Sequence, residues 1–179
     1  GGSTELVWID LSSVPHRERP KAIMRMRRGF EQFDTPFPAA KVVDWISVPL
    51  GVATLRDQFN DVEDDAARFA LMSWFFEENL SEFAPYKDAQ PREGFQIVGT
   101  SGTVTTVAAS HLGLRRYDRT KVDGLRMTSE QIDVVINDYL KMGPNGRRQD
   151  PRIGQDRHAL IMSGSAILQA LLRCWPTDR

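Results

Sequence analysis

The segment Phe95-Gln96-Ile97-Val98 runs without a break into Gly99-Thr100-Ser101-Gly102-Thr103 and then into Val104 to Leu112. A short apolar run, a glycine turn and a helix-prone run in this order predict a strand, tight turn and helix, the unit from which α/β folds are built. Glycines let the backbone turn sharply and let a ligand reach the main chain, while free N–H groups at the following helix start present positive partial charge to a phosphate. Ser101 or Thr103 capping that helix accounts for the same residues equally well. The residues alone leave both readings open.

Other elements follow from patterning. Leu6 to Leu11 is rich in β-branched and aromatic residues and is closed by Ser12, Ser13 and Pro15, which predicts a strand and a turn. Val42 to Val48 predicts a second strand, ended by Pro49-Leu50-Gly51. Residues 61–80 predict a helix with acids in its first turns and an aromatic stripe that is core, buried on more than one side. Thr128-Ser129-Glu130-Gln131 fits a capping box, and the helix behind it is expected to end at Gly143-Pro144. The Gly-, Pro- and Arg-rich stretch 143–155 is expected to be the most mobile loop, and residues 156–174 a closing helix.

The chain has 179 residues, enough for one domain with a real core. A formal net charge of −1 gives no global field for nucleic acid or anionic lipid, so neither is an expected partner. The one marked basic stretch is His16 to Arg28, where Arg17, Arg19, Lys21, Arg25, Arg27 and Arg28 face the single acid Glu18; a solvated face is the plain reading. No apolar run is long enough to span a bilayer, and Cys174 is the only cysteine, so a reducing cytoplasm is the expected location. His16, His111 and His158 follow no metal-binding spacing, and Cys174 reads as a buried apolar residue rather than a nucleophile.

Gly1-Gly2-Ser3-Thr4-Glu5 places glycine backbone, two hydroxyls and a carboxylate directly before a strand. Such a loop can wrap phosphate oxygens with N–H and O–H donors, and a carboxylate at its end can hold water on a divalent cation. Gly-Gly-Ser by itself is also what a cloning remnant looks like.

In combination these segments resemble the exopolyphosphatase/guanosine pentaphosphatase (Ppx/GppA) family. Gly1-Gly2-Ser3-Thr4-Glu5-Leu6 is similar to the later part of its phosphate-binding segment Asp-x-Gly-Gly-Gly-Ser-Thr-Glu-Leu, a continuation that a cloning remnant would have no reason to show. Ser47-Val48-Pro49-Leu50-Gly51-Val52 resembles its Ser-Leu-Pro-Leu-Gly-Ala stretch, and residues 98–106 resemble its second glycine loop. Val122-Asp123-Gly124-Leu125-Arg126-Met127-Thr128 is similar to its Val-x-Gly-x-x-Leu-Thr approach to a helix. Arg157, Ile161, Gly164, Ile167 and Leu168 match its closing Arg-x-x-x-Ile-x-x-Gly-x-x-Ile-Leu helix.

The resemblance implies an actin-like (ribonuclease H-like) ATPase lobe of the α/β class, a mixed sheet flanked by helices, with residues 1–179 forming the second of two lobes. The Asp-x-Gly-Ser-Asn-Ser loop and catalytic glutamate of the family's N-terminal lobe, the Asp and first Gly of the phosphate segment, and the family's later Gly-Leu-Arg-Glu-Gly segment have no counterpart in this sequence. The implied activity is Mg²⁺-dependent hydrolysis of the terminal phosphate of inorganic polyphosphate or guanosine pentaphosphate, with the lobe inactive by itself and the full-length enzyme a homodimer. On that footing Gly1, Gly2, Ser3 and Thr4 would hold phosphate, Glu5 would be the catalytic and metal-positioning carboxylate, and Gly99, Thr100, Ser101, Gly102 and Thr103 would form a nucleotide or ligand loop. A non-catalytic module sensing nucleotides or phosphate, and a structural lobe for subunit association, are the other readings. A basic channel built on Arg17 to Arg28 would favour polyphosphate, and an aromatic or apolar base slot beside Gly102 would favour a nucleotide.

Overall fold

The computed structural model describes residues 1–26, 40–88 and 94–178. Arg27 and Arg28 of the basic stretch lie outside the described residues. In chain order the elements are β1 (Thr4–Asp10), a 3₁₀ turn (His16–Glu18), α1 (Arg19–Met26), β2 (Lys41–Val48), α2 (Val52–Gln58), α3 (Asp65–Glu78), α4 (Ala84–Lys87), α5 (Gly102–His111), α6 (Arg119–Val122), α7 (Ser129–Gln149) and α8 (Ile161–Cys174).

Helix α8 is the centre of the molecule. Its first eight residues, Ile161 to Leu168, are all buried, and the small side chains of Ser163, Gly164, Ser165, Ala166 and Ala170 let neighbouring helices come close. Helix α3 lays Phe69, Met72, Ser73 and Phe76 against it, the i, i+3, i+4, i+7 positions of one helical face. Asp64 starts α3 as N-cap, its carboxylate accepting from the Ala67 N–H at 2.7 Å. The stripe is core, as the sequence implies, but only one side is covered: Leu71 and Trp74 are exposed. The expected second buried side corresponds to the Ala66, Ala70 and Trp74 row, which no described element covers.

The sheet is a two-stranded antiparallel ribbon, β1 against β2, with Thr4 opposite Val48 and Val7 opposite Trp45, and an irregularity between Trp8 and Ile9. Its inner face carries Leu6, Trp8, Ile46 and Val48 onto the core. Among the described residues this ribbon is the only sheet, not the mixed sheet expected. Phe95 to Val98 forms no strand. Phe95 stacks on Trp8 with ring centroids 4.9 Å apart, but the run pairs with no strand and Val98 is exposed. Apolar content alone does not make a strand where no ladder partner is adjacent.

Thr128 caps α7 as predicted, with both arms of the capping box formed to Gln131 at 2.9 and 3.1 Å. The helix that starts at Ser129 ends at Gly143-Pro144, as expected. Gly143 takes φ 65°, ψ 177°, and the chain turns there and resumes helix to Gln149. The stretch expected to be a loop is in part helical and is anchored at two points: Arg147 and Ile153 are buried, and Arg147 grips Asp65 of α3 through two hydrogen bonds of 2.6 and 2.9 Å. The closing helix begins at Ile161, five residues later than expected, because residues 151–160 form turns.

Candidate functional site

Gly51 decides how the N-terminal loop is held. Residues Gly1 to Ser3 pass so close to it that a Cβ built there would lie 2.2 Å from the Gly1 carbonyl oxygen and 2.8 Å from the Ser3 nitrogen, both backbone atoms. Only glycine fits such an approach. The loop is then tied to the first turn of α2: the Ala53 N–H donates to the Gly1 carbonyl at 3.2 Å. Thr54 accepts from the Gly51 N–H at 2.8 Å, and its hydroxyl faces the carbonyls of Gly51 (3.2 Å) and Gly2 (3.4 Å). The Thr4 hydroxyl donates to the Leu50 carbonyl at 2.8 Å, so it is committed to the turn rather than offered to a ligand through its proton.

Glu5 is exposed and sits opposite Ser47 on the outer face of the ribbon. Its Oε1 accepts from the Ser3 hydroxyl at 2.6 Å and from the Ser47 hydroxyl at 3.3 Å. Among the described residues no hydrogen bond is made to Oε2. That arrangement holds the carboxylate through one oxygen on an exposed residue. No cluster of three or more potential metal ligands occurs among the described residues. A single carboxylate is nonetheless compatible with Mg²⁺, which keeps several waters and takes one or two carboxylates plus substrate phosphates.

The second glycine loop leads into α5, whose first turn packs on α8, as does the first turn of α2 to which the first loop is tied. Ser101 caps α5, its hydroxyl accepting from the Val104 N–H at 3.3 Å, so the capping reading of this loop holds. Gly102 is overlain by Arg157, whose guanidinium donates to the Gly102 carbonyl at 2.6 Å and to the Thr106 hydroxyl at 3.3 Å. Thr103 fills the space beside Gly164, where a Cβ would lie 2.0 Å from its Oγ1. The adjacent residue Ser163 donates to the Val52 carbonyl at 2.7 Å. Consecutive residues of α8 thus hold the first turns of α2 and α5, which brings both glycine loops to the N-terminal half of one helix. No hydrogen bond joins the two loops among the described residues.

The basic stretch is elsewhere. Residues 17–26 follow the end of β1 opposite to the Gly1 to Glu5 loop, and no hydrogen bond or ion pair joins them to it among the described residues. Helix α1 buries none of its residues. Cys174 is half-buried, and desolvation together with the nearby Glu77 pushes its thiol up to about 12, which agrees with an inert apolar residue. Gly51, Thr54 and Arg157 are the positioning residues that motif reading did not assign; Gly51 and Arg157 stood inside quoted motifs, but nothing in the sequence says what they touch.

No protein-family model matches the chain, and no curated protein matches it. Solved structures do. The Aquifex aeolicus PPX-GPPA enzyme is similar at 26% identity and a TM-score of 0.65, over 99% of this chain and 48% of its own. An exopolyphosphatase-like protein is similar at 25% identity and a TM-score of 0.67, over 97% of this chain and 47% of its own. An exopolyphosphatase from Cytophaga hutchinsonii shares the fold, at 17% identity and a TM-score of 0.62 over 77% of this chain. The chain spans about half the length of these proteins. No helix among the described residues is long and apolar enough to cross a membrane. Over 97–99% of its length the chain is a structural relative of the Ppx/GppA phosphatases, as its motifs imply.

Proposed function

We propose that this chain is the second lobe of an actin-like phosphatase and that, together with a first lobe, it removes the terminal phosphate from inorganic polyphosphate or guanosine pentaphosphate. The observation that carries the reading is the Gly1 to Glu5 loop: Gly51 and Thr54 pin its backbone to α2, while both serine hydroxyls donate to Oε1 of the exposed Glu5 carboxylate. Gly1, Gly2 and Ser3 would surround phosphate oxygens, and Thr4 would hold the loop in register through Leu50. Mg²⁺, when bound through Glu5 and water, supplies charge neutralisation for the phosphates. Phosphoryl transfer depends on positioning and charge more than on covalent chemistry, so one lobe alone should lose nearly all rate.

The test uses a two-lobed protein containing this chain. Glu5→Gln keeps the shape and removes the charge, and should lower kcat by about 10²-fold or more on both substrates. The parental rate across a Mg²⁺ titration would overturn the assignment of Glu5. The 179-residue chain by itself should release no phosphate above background from either substrate; turnover by it would overturn the need for a first lobe.

A further inference from the structure

We propose that the hollow between α2, α3, the kinked end of α7 and the turn before α8 is a second binding site, for a small organic anion with a phosphate or carboxylate head on an apolar or aromatic body. The hollow has a volume of about 240 Å³ and shares no lining residue with either glycine loop. The proposal therefore stands apart from the phosphatase reading.

Charge defines the head. Four guanidiniums, from Arg56, Arg68, Arg147 and Arg148, line the hollow against one carboxylate, Asp65. Two of the four are already matched: Arg147 binds Asp65, and Arg56 binds its neighbour Asp57 at 2.7 Å. The other two are not. Among the described residues no carboxylate lies within salt-bridge distance of Arg68 or Arg148. Arg68 is held by a 2.7 Å bond from Nε to the Val62 carbonyl, which fixes the plane of the fork and leaves its terminal nitrogens for a ligand. Two uncompensated guanidiniums on one small concavity, in a chain of net charge −1, constitute a local anion site.

The rest of the lining defines the body. Met72, Met162, Ala159 and Pro144 form apolar wall between the charged groups. Methionines adapt to flat or irregular apolar shapes and make favourable sulfur–ring contacts. The volume is below the common range for drug-sized ligands, so it suits one ring or short chain with its head group and not a polymer. The Arg147–Asp65 pair locks one wall before any ligand arrives, which lowers the ordering cost of binding.

Calorimetric titration of the 179-residue chain with phenyl phosphate, and separately with inorganic phosphate, tests this. Phenyl phosphate should bind one per chain and about tenfold or more tighter than inorganic phosphate, because only it uses the apolar wall. Arg68→Gln and Arg148→Gln should each weaken phenyl phosphate by about tenfold or more, the loss of one charge-assisted bond. Arg148 is exposed, so Arg148→Gln decides the matter if Arg68→Gln does not fold. The proposal is overturned by the absence of saturable phenyl phosphate binding, by equal affinity for the two anions, or by unchanged affinity in Arg148→Gln. Loss of binding in Glu5→Gln with retention in Arg148→Gln would place the anion at the glycine loop and overturn it as well.

Discussion

Removing the carboxylate of Asp65 is the perturbation whose cost the structure defines most closely. The Arg147 side chain is only 5% exposed and Asp65 24%, so the guanidinium is the more deeply buried partner. In Asp65→Ala, Arg147 keeps its 2.8 Å bond to the Tyr139 carbonyl but loses both bonds to the carboxylate, while its buried Nε has no partner to begin with. Breaking a fully buried pair from one side costs about 3–5 kcal/mol. Asp65 is reachable by water, which can move in to solvate the stranded cation, so about 2–3 kcal/mol is expected here. Loss of an acid from the first turn of α3 adds a few tenths more. For a chain of this size that corresponds to a fall in Tm of roughly 5–10 °C. Arg147→Met removes the buried charge and keeps the stem, leaving a carboxylate that water can hydrate; it should cost less than Asp65→Ala. The double variant Asp65→Ala/Arg147→Met should be no less stable than Asp65→Ala. Urea unfolding of the three variants measures this. If Asp65→Ala falls within about 0.5 kcal/mol of the parent, or Arg147→Met costs more than Asp65→Ala, the pair does not anchor the end of α7 in the way argued.

Three further outcomes are expected. Gly51→Ala places a Cβ against immovable backbone of Gly1 and Ser3, so it should lower stability by about 1–3 kcal/mol and displace the loop; an unchanged Tm would show that the loop does not cross there. Gly143→Ala forces a side chain into the glycine-only region at φ 65°, ψ 177°, at a cost of about 1–3 kcal/mol; a gain in stability would mean that α7 runs straight instead. Burial raises the Tyr139 phenol from 10.0 to about 12, so the stabilisation it contributes is complete below pH 10 and is lost as pH rises from 10 towards 12. Two pH units on a buried group correspond to about 2–3 kcal/mol, and Tyr139→Phe should flatten the alkaline limb of the stability profile; the same limb in that variant would exclude Tyr139 as its source.

Local rules were legible in the sequence where the determinants are adjacent. The capping box at Thr128, the strands β1 and β2, and the helix at Gly102 all follow from residues within one or two turns of each other. What could not be read depended on distant partners. Gly143-Pro144 ends the first helical run as its residues say, but the short helix that follows it carries a guanidinium that pairs with a carboxylate 82 positions earlier in the chain, a partner no local pattern shows. Phe95 to Val98 has strand composition, but a strand exists only where a ladder partner lies alongside. The candidate site divides the same way: Ser3, Thr4 and Glu5 announce their chemistry as residue types, whereas Gly51 matters solely for the atoms it leaves out.

The outer face of the β1–β2 ribbon also gives the protein an optical reporter. Trp45 is 64% exposed and stands among Val7 and Val43, while Trp175 is 7% exposed within an aromatic group that includes Trp8 and Phe83. Iodide should quench emission from Trp45 and Trp74 and leave Trp175 bright, separating the four tryptophans into two classes. In a Trp74→Phe background, the quenchable red-shifted component would come from Trp45. Anything that settles on the ribbon, whether another lobe or a second copy, would shift that component to the blue and shield it, so the docking event can be timed by fluorescence without attaching a dye.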